Sequence, residues 1–336
     1  MSEESTATVR PFWATNLIHT CLNLQQGEKL LILTDEPLAY VRDALLAEAL
    51  SAQPSELWSC TLPNSTRPLS ALPAHLLALS KEVDVIIALL ETVHAEESTS
   101  PTLLPDLIAL YTGGARVAVG AYITADILEH ELSADYQEVA NISAALAQRL
   151  QGASSIHITT LLGTNLRLSV KERRWHSDTG LFHEPGWGNI PAGEVFVAPV
   201  EESAEGVLVI DKSLPGLALP EPVRIVFEHG RAVSIEGGTG AAYLEQAFKS
   251  IEGQPNSEWA HVIGEFGIGT NPKARLLGNI MTDEKVLGTI HIALGRNDMW
   301  GGKNVAPIHL DGVVGQPTVR VDGELLIDDG NYLVHR

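Results

Sequence analysis

The chain has 336 residues, of which 42 are acidic and 22 are basic, so its formal net charge is −20. Hydrophobic residues make up 45% of the chain, which at this length is typical of a folded protein with about two domains and excludes a disulfide-stapled miniprotein or a disordered tail. The negative charge repels nucleic-acid phosphates, so we expect no nucleic-acid partner.

The first half of the chain alternates apolar runs with helical patterns. The run Lys29–Asp35 is apolar at its centre and ends in polar turn residues, which is typical of a strand buried on both faces. Further apolar runs predict strands at 56–60, 83–89 and 116–120. Helical spacing of apolar residues predicts helices at 41–49, 73–80, 103–111 and 134–150. Strands separated by helices indicate a parallel sheet, so residues 1–150 are predicted to form an α/β scaffold domain.

The second half changes character near residue 151. Short β-rich runs separated by turn residues predict antiparallel strands at 155–160, 165–170, 194–200, 206–211, 223–228, 232–236, 318–321 and 324–327. Helices are predicted at 239–250 and 272–279. Residues 151–336 are therefore predicted to form a β-rich α+β domain, and the fold class of the whole chain is predicted to be α/β.

The first residues contain no apolar run typical of a signal peptide, and no apolar window of the chain is long enough to span a membrane. Cys21 and Cys60 are the only cysteines, too few for a disulfide framework. We therefore expect a cytoplasmic protein with no membrane partner.

Ionisable residues are concentrated among glycines between Glu265 and Asp311. His309 and Asp311 are separated by one residue, so in an extended segment both side chains project to the same side and can reach one metal ion. A hydrogen bond between the two side chains at a strand end is the alternative explanation. The presence of Glu265, Glu284 and His291 in the same stretch favours a metal, because ionisable groups flanked by apolar residues need a cation or mutual neutralisation.

Carboxylate and imidazole ligands without cysteine suit Zn²⁺, Co²⁺, Mn²⁺ or Mg²⁺. Five or six such residues are enough for two metal ions that share a bridging carboxylate and activate a water molecule. We therefore predict two divalent metal ions in the second half of the chain.

Four runs resemble the metal-binding elements of the aminopeptidase T and aminopeptidase S family of thermophilic metallopeptidases. They are NIPAGEVFVAP at 189–199, DE at 283–284, HIALG at 291–295 and HLD at 309–311. The resemblance implies a metal-dependent aminopeptidase that forms a homodimer, with an N-terminal α/β domain followed by a β-rich metal-binding domain. It implies that the two metal ions are held by Glu194, Glu265, Glu284, His291, His309 and Asp311.

The chain departs from that family in its shorter length, in the spacing of His291 from Glu284, and in Asp298, which stands where the family has a tyrosine. It also resembles a shorter, related branch of ring-opening dihydroxypyridine dioxygenases in its length and in the run GIGTNP at 267–272. That branch holds one iron with two histidines and an aspartate, whereas this chain has Glu265 at the position of the first histidine. The alternative functions are therefore mononuclear iron ring cleavage and an inactive relative that binds peptides or small molecules.

On the hydrolase interpretation, a carboxylate must accept the proton of the metal-activated water. The candidates for this role are Glu194, Glu265 and Asp298. The acidic charge favours substrates with a free α-amino group, such as small peptides. The predicted substrate contacts, beside the motifs, are Asn189, Trp187 and Trp300. The alternative to substrate contact for the two tryptophans is that they are ordinary aromatic residues of the hydrophobic core.

Overall fold

The structure is a computed structural model that describes residues 10–98, 100 and 103–333. The N-terminal residues on which the expectation of no targeting segment rests, 1–9, lie outside this range. Within the described ranges, we find no helix with the length and apolar character needed to cross a membrane.

The strands are, in chain order, β1 Lys29–Asp35, β2 Glu56–Leu62, β3 Val85–Leu89, β4 Arg116–Gly120, β5 Ser155–Thr159, β6 Asn165–Ser169, β7 His176–Asp178, β8 Gly186–Asn189, β9 Glu194–Val197, β10 Glu205–Ile210, β11 Ser213–Leu214, β12 Leu217–Ala218, β13 Val223–Glu228, β14 Arg231–Glu236, β15 Ile263–Gly269, β16 Ile290–Gly295, β17 His309–Val314, β18 Thr318–Val321, β19 Glu324–Asp328 and β20 Asn331–Tyr332. The α-helices are α1 Phe12–Thr15, α2 Ala39–Ala49, α3 Ala74–Leu79, α4 Ala95–Ser98, α5 Leu103–Tyr111, α6 Ala125–His130, α7 Tyr136–Leu150, α8 Gly238–Ser250 and α9 Ile280–Asp283.

A five-stranded parallel sheet organises the first half, in the order β2-β1-β3-β4-β8. Leu30 and Ile32 of β1 pack into the core that contains α2, whereas Leu31 packs into the core that contains α5. Both faces of the sheet are therefore covered by helices, which explains the continuous apolar run. The fifth strand, β8, was not predicted, because Gly186–Asn189 has no apolar run.

Two antiparallel sheets of the second half share one hydrophobic core, and a third consists of the short strands β11 and β12 alone. The larger sheet has eight strands in the order β14-β13-β10-β6-β5-β18-β19-β20, and the smaller has five in the order β17-β16-β15-β9-β7. The predicted fold class, with a parallel sheet followed by β-rich structure, is confirmed. The domain boundary near residue 150 and the homodimer stay predictions, and β8 pairs with β4 although it follows that boundary.

Helix α7 connects the cores of the two halves. Its N-cap residue, Asp135, accepts two backbone N–H groups at 3.0 and 3.2 Å, which satisfies donors of the first turn. Tyr136 and Val139 near its start pack into the core of the parallel sheet, whereas Leu146 and Leu150 near its end pack into the core of the antiparallel sheets. The apolar spacing of 134–150 therefore predicted both the helix and its buried stripe.

The predicted helix at 272–279 is wrong, because these residues form turns and irregular structure. Asn271 Oδ1 accepts the backbone N–H groups two and three residues ahead, at 2.9 and 3.2 Å, which favours a turn over a helix. Gly278 has a φ of +72°, which a helix cannot accommodate. Helix α9 begins only after Asn279, whose side chain caps it.

Arg275, in this irregular segment, joins the two halves by ion pairs. Its Nε lies 2.8 Å from Glu131 Oε1, and its Nη2 lies 2.7 Å from Asp126 Oδ2. The Glu131 side chain is 0% exposed and that of Arg275 is 37% exposed. A buried carboxylate without a partner is costly, so Arg275 compensates the charge of Glu131.

We expect Arg275→Met to lower the free energy of unfolding by about 2–3 kcal/mol, because it leaves Glu131 buried without a counter-charge. This value lies below the range for fully buried pairs, because Arg275 itself is partly solvated. The matched control is Arg224→Met on exposed β13 surface, which should change stability by less than about 0.5 kcal/mol. Urea unfolding followed by circular dichroism measures both variants, and equal stabilities would contradict this role of Arg275.

Candidate metal centre

All six predicted ligands converge at one face of the five-stranded antiparallel sheet. They lie on β9 (Glu194), β15 (Glu265), β16 (His291) and β17 (His309 and Asp311), while Glu284 directly follows α9. Strands β17, β16, β15 and β9 are consecutive neighbours in the sheet, so residues far apart in sequence come together. His309 and Asp311 project to the same side because they are separated by one residue of a strand.

The ligand-type side chains form three overlapping groups whose donor atoms lie within 4.8 Å of one another. The groups are Glu194 with Glu265 and His291, Glu265 with His309 and Asp311, and Glu284 with His291 and Asp311. Each group therefore combines two carboxylates with one histidine.

Small residues make room for these side chains. Gly267 on β15 pairs directly with His291 on β16, and a Cβ atom at Gly267 would lie 2.0 Å from His291 Nε2. Ala293 lies between Glu265 and Asp311 in the register of the three strands. Glycine and alanine at these positions leave the space that the histidine ring and the two carboxylates occupy.

The His309 ring is held in one orientation by the backbone. Its Nδ1 donates a hydrogen bond of 2.8 Å to the carbonyl oxygen of Arg296. Its Nε2 faces Asp311 Oδ2 at 3.4 Å and Glu265 Oε2 at 3.6 Å. A histidine that donates one ring nitrogen to a carbonyl and points the other at carboxylates has the arrangement typical of a metal ligand.

Two buried atoms of the predicted ligands have no hydrogen-bond partner within the described ranges. They are Asp311 Oδ1 and His291 Nδ1. An unsatisfied buried carboxylate oxygen costs free energy unless a cation or a hydrogen-bond donor reaches it. Together with the mixed carboxylate and imidazole donors, this oxygen fits a divalent cation.

Burial and mutual charge shift the pKa values of both histidines and of several carboxylates in the cluster. Burial lowers the pKa of His309, but Asp311 and Glu265 outweigh it and raise that pKa to about 10. Burial raises the pKa of Asp311, yet His309 and His291 lower it to about 2. The pKa of His291 is reduced by burial but raised overall to about 9 by its acidic neighbours, and burial raises that of Glu284 to about 7. A metal ion must therefore compete with protons on the histidines.

The centre opens into a cavity of about 710 Å³. All three predicted substrate contacts line it, together with Glu265 and Asp311; they are Asn189, Trp187 and Trp300. The Trp300 ring packs edge-on against His309, with ring centroids 5.1 Å apart. Aromatic side chains such as Trp187 and Trp300 thus form walls of the cavity, and the carboxylates of the donor groups form its acidic floor.

Asp298, predicted for proton transfer, lies in a different environment. Arg296 donates to both of its carboxylate oxygens, with Nε 2.6 Å from Oδ1 and Nη2 3.0 Å from Oδ2. Asp298 is not among the described residues that line the cavity. Its carboxylate is therefore engaged by an arginine away from the donor groups.

The sequence interpretation missed two charged residues of the centre. Lys285 is 0% exposed, and its Nζ lies 2.7 Å from Glu194 Oε1 and 2.8 Å from Glu284 Oε1. In the sequence it follows two acidic residues, a pattern typical of a solvated turn. Asp178 pairs in register with Glu194 and accepts the backbone N–H of Asn189 at 2.7 Å. Burial raises the pKa of Asp178 to about 6, although Lys285 opposes the shift.

Comparison with known proteins identifies the family. The family model described as "NicX: 2,5-dihydroxypyridine 5,6-dioxygenase" matches residues 13–334. The chain belongs to this family. It is 29% identical to 2,5-dihydroxypyridine 5,6-dioxygenase of Pseudomonas putida over 178 residues, which cover 48% of this chain and 49% of that protein.

Two aminopeptidases are also similar to the chain. The chain is 26% identical to aminopeptidase AmpS of Bacillus subtilis over 185 residues, covering 48% of this chain and 43% of AmpS. It is 30% identical to aminopeptidase T of Thermus thermophilus over 161 residues, covering 42% of this chain and 37% of that enzyme. The matched segments thus span about half of these curated relatives or less. The predicted resemblance to aminopeptidases T and S, with a related dioxygenase branch, is confirmed.

Two solved structures share the fold over nearly the whole chain. The Pseudomonas putida dioxygenase has a TM-score of 0.75 at 20% identity and covers 96% of this chain and 97% of its own. Wild-type AmpT from Thermus thermophilus has a TM-score of 0.74 at 16% identity and covers 96% of this chain and 98% of its own. Because both enzymes share this fold, the fold by itself does not select an activity.

We expect Gly267→Ala to weaken divalent cation binding by about 10–100-fold, because the added methyl group displaces the His291 ring beside Glu265. Isothermal titration calorimetry with Mn²⁺ or Zn²⁺ measures the affinity. The control is Gly114→Ala, at a φ of +103° where no atom lies within 4 Å of the added Cβ. This substitution strains the backbone locally without filling the metal centre, so its affinity should match that of the unmodified chain. Unchanged affinity in a folded Gly267→Ala variant would disprove the packing role.

Proposed function

We propose that the chain is a metal-dependent hydrolase that removes N-terminal residues from small peptides. The composition of the donor groups carries this proposal, since each combines two carboxylates with one histidine and none in the described ranges contains two histidines. Mononuclear iron oxygenases typically use two histidines and one carboxylate. The two aminopeptidases among the relatives support the proposal.

The charge of the cavity also favours a substrate with a free α-amino group. Its acidic lining includes Asp178 and Glu184 in addition to residues of the donor groups. Asp178 belongs to none of the three groups. Its Oδ2 accepts the N–H of Asn189 at 2.7 Å, but its Oδ1 accepts only a long hydrogen bond of 3.4 Å from the N–H of Gly180 and can accept another from substrate. We assign to Asp178 the recognition of the substrate α-ammonium group, which a buried carboxylate binds strongly.

The residues that would hold divalent metal are Glu194, Glu265, Glu284, His291, His309 and Asp311. A bound divalent cation supplies a water molecule with a pKa near neutrality and polarises the scissile carbonyl group. The carbonyl of Arg296 orients His309, and His291 Nε2 orients Glu265 and Glu194 at 3.1 and 3.3 Å.

Proton transfer in this proposal belongs to a glutamate of the cavity. Glu194 and Glu265 both line the cavity and both contact His291 Nε2. Asp298 is less suited to accept the proton, because it is not among the described residues that line the cavity. The aromatic walls formed by Trp187 and Trp300 exclude water and receive the side chain of the substrate.

We expect His309→Ala to lose divalent metal and aminopeptidase activity together, each by at least about 100-fold, because the variant removes a ligand and leaves Asp311 unpaired. Metal content is measured by mass spectrometry, and activity by release from chromogenic aminoacyl substrates with Co²⁺ or Mn²⁺. The matched control is His75→Ala, at an exposed position of α3, which should retain both. Retained activity in His309→Ala would refute the ligand assignment, and no release by the metal-loaded protein from any aminoacyl substrate would refute the aminopeptidase.

We expect Asp178→Asn to raise the KM for aminoacyl substrates by about 10–100-fold with a smaller effect on kcat, because the α-ammonium group loses its counter-charge. Metal content should stay unchanged, since Asp178 lies outside the donor groups. Asp43→Asn, at an exposed position, is the matched control. A fall in kcat without a change in KM would contradict substrate binding by Asp178.

Ring-cleaving dioxygenation is the second candidate, because the family model that spans residues 13–334 carries that description. On this alternative, the cavity binds a dihydroxylated pyridine beside iron. Oxygen uptake by the Fe²⁺-loaded protein with 2,5-dihydroxypyridine would favour it. Absence of oxygen uptake, together with release from aminoacyl substrates, would favour the hydrolase.

A further inference from the structure

Lys285 is a fully buried cation inside the proposed metal centre. Its side chain is 0% exposed, and its ammonium group lies 2.7 Å from Glu194 Oε1 and 2.8 Å from Glu284 Oε1. Burying an ammonium group is costly unless carboxylates surround it, and here two carboxylates do so. The lysine therefore supplies positive charge where the sequence predicted only metal.

The backbone holds Lys285 in this place. Its N–H donates to the carbonyl of Thr282 at 3.0 Å, and its own carbonyl accepts the N–H of Asn271 at 2.8 Å. Gly269 permits the close approach of this segment, because a Cβ atom there would lie 2.8 Å from the carbonyl carbon of Lys285. Lys285 is thus anchored on both sides and is not a surface side chain folded inward.

The contacts of Lys285 distinguish the three donor groups. One group depends on Glu194 and another on Glu284, and both of these carboxylates are paired with the lysine. A dication bound to either group would share a carboxylate with a buried ammonium group and be repelled by it. The remaining group, Glu265 with His309 and Asp311, has no carboxylate paired with Lys285.

This remaining group is also the one most open to the cavity. The side chains of His309 and Asp311 are 24% and 18% exposed, whereas those of Glu194 and His291 are 7% and 1% exposed. Asp311 Oδ1 lacks a hydrogen-bond partner within the described ranges. The partial exposure of these two side chains lets an ion from solution reach the group, and the buried Oδ1 of Asp311 is an acceptor without a partner beside it.

We propose that the ammonium group of Lys285 takes the place of a second metal ion, so that the chain binds a single divalent cation at Glu265, His309 and Asp311. This inference rests on the metal centre of the proposed function, revises the predicted two ions to one and narrows the six candidate ligands to three. Glu194 and Glu284 then hold the lysine, and His291 is a positioning residue that orients Glu265 through the 3.1 Å contact of its Nε2.

The test counts metal ions in the full chain. Protein stripped with a chelator is saturated with Mn²⁺, freed of excess metal by gel filtration, and measured by plasma mass spectrometry and calorimetric titration. We expect one ion per chain, with the electron paramagnetic resonance spectrum of isolated Mn²⁺. Two ions per chain, or the spectrum of an exchange-coupled pair, would overturn the proposal.

A substitution of Lys285 should allow the chain to bind an additional metal ion. Lys285→Met removes the ammonium group while keeping the length of the side chain, so we expect a second Mn²⁺ to bind near Glu194 and Glu284 and to give a coupled spectrum. Lys249→Met, at an exposed position of α8, is the matched control and should bind one ion. A folded Lys285→Met variant that still binds one ion would contradict the proposal. If that variant does not fold, the count in the unmodified chain decides alone.

The outcome for Lys285 can be separated from the outcome for the proposed function. One bound ion without release from any aminoacyl substrate would refute the aminopeptidase and leave the role of Lys285 intact. Two bound ions with aminopeptidase activity would refute the role of Lys285 and leave the hydrolase intact.

Discussion

The need to neutralise several carboxylates on one buried sheet face governs this structure. Glu194, Glu265 and Glu284 are each 5% exposed as whole residues. An unpaired carboxylate that is buried to this extent costs several kcal/mol or more. The protein supplies part of the compensation itself, through Lys285 and His291. Asp311 Oδ1 has no hydrogen-bond partner in the part of the chain that the structure describes, and Asp311 lines the cavity, so the cation that we propose would complete the compensation.

The parallel sheet and the smaller antiparallel sheet contribute different parts of the cavity, although all of its lining residues lie between 174 and 311. The antiparallel sheet supplies the ionisable floor, whereas Trp187 and Asn189 come from β8, the strand that completes the parallel sheet. The Trp187 ring stacks on Tyr111 of α5 at a centroid distance of 5.3 Å, so the first half holds this wall in position. The parallel sheet thus acts as a scaffold that also shapes the space for substrate.

The relatives of the chain share one fold but carry out two kinds of reaction. Aminopeptidases and a dioxygenase are both among the relatives, and solved structures of both kinds match the chain about equally well. What distinguishes them must therefore lie in the donor atoms of the centre and in the charges around them. In this chain, Glu265 is one of the donors, and Lys285 is paired with Glu194 and Glu284. These side chains, and not the fold, bear on which activity the chain has.

Features that depend on local periodicity could be predicted from the sequence. The apolar run of β1, the buried stripe of α7 and the shared direction of His309 and Asp311 all follow from spacings of a few residues. Only the tertiary structure shows that Lys285 is buried, because its burial depends on a carboxylate distant in the chain. Only the structure shows that residues 272–279 are not helical, because the spacing of apolar residues does not reveal the backbone turns there. From the sequence alone, a charged side chain is expected to be exposed to solvent. Only the fold shows whether carboxylates from other parts of the chain surround it.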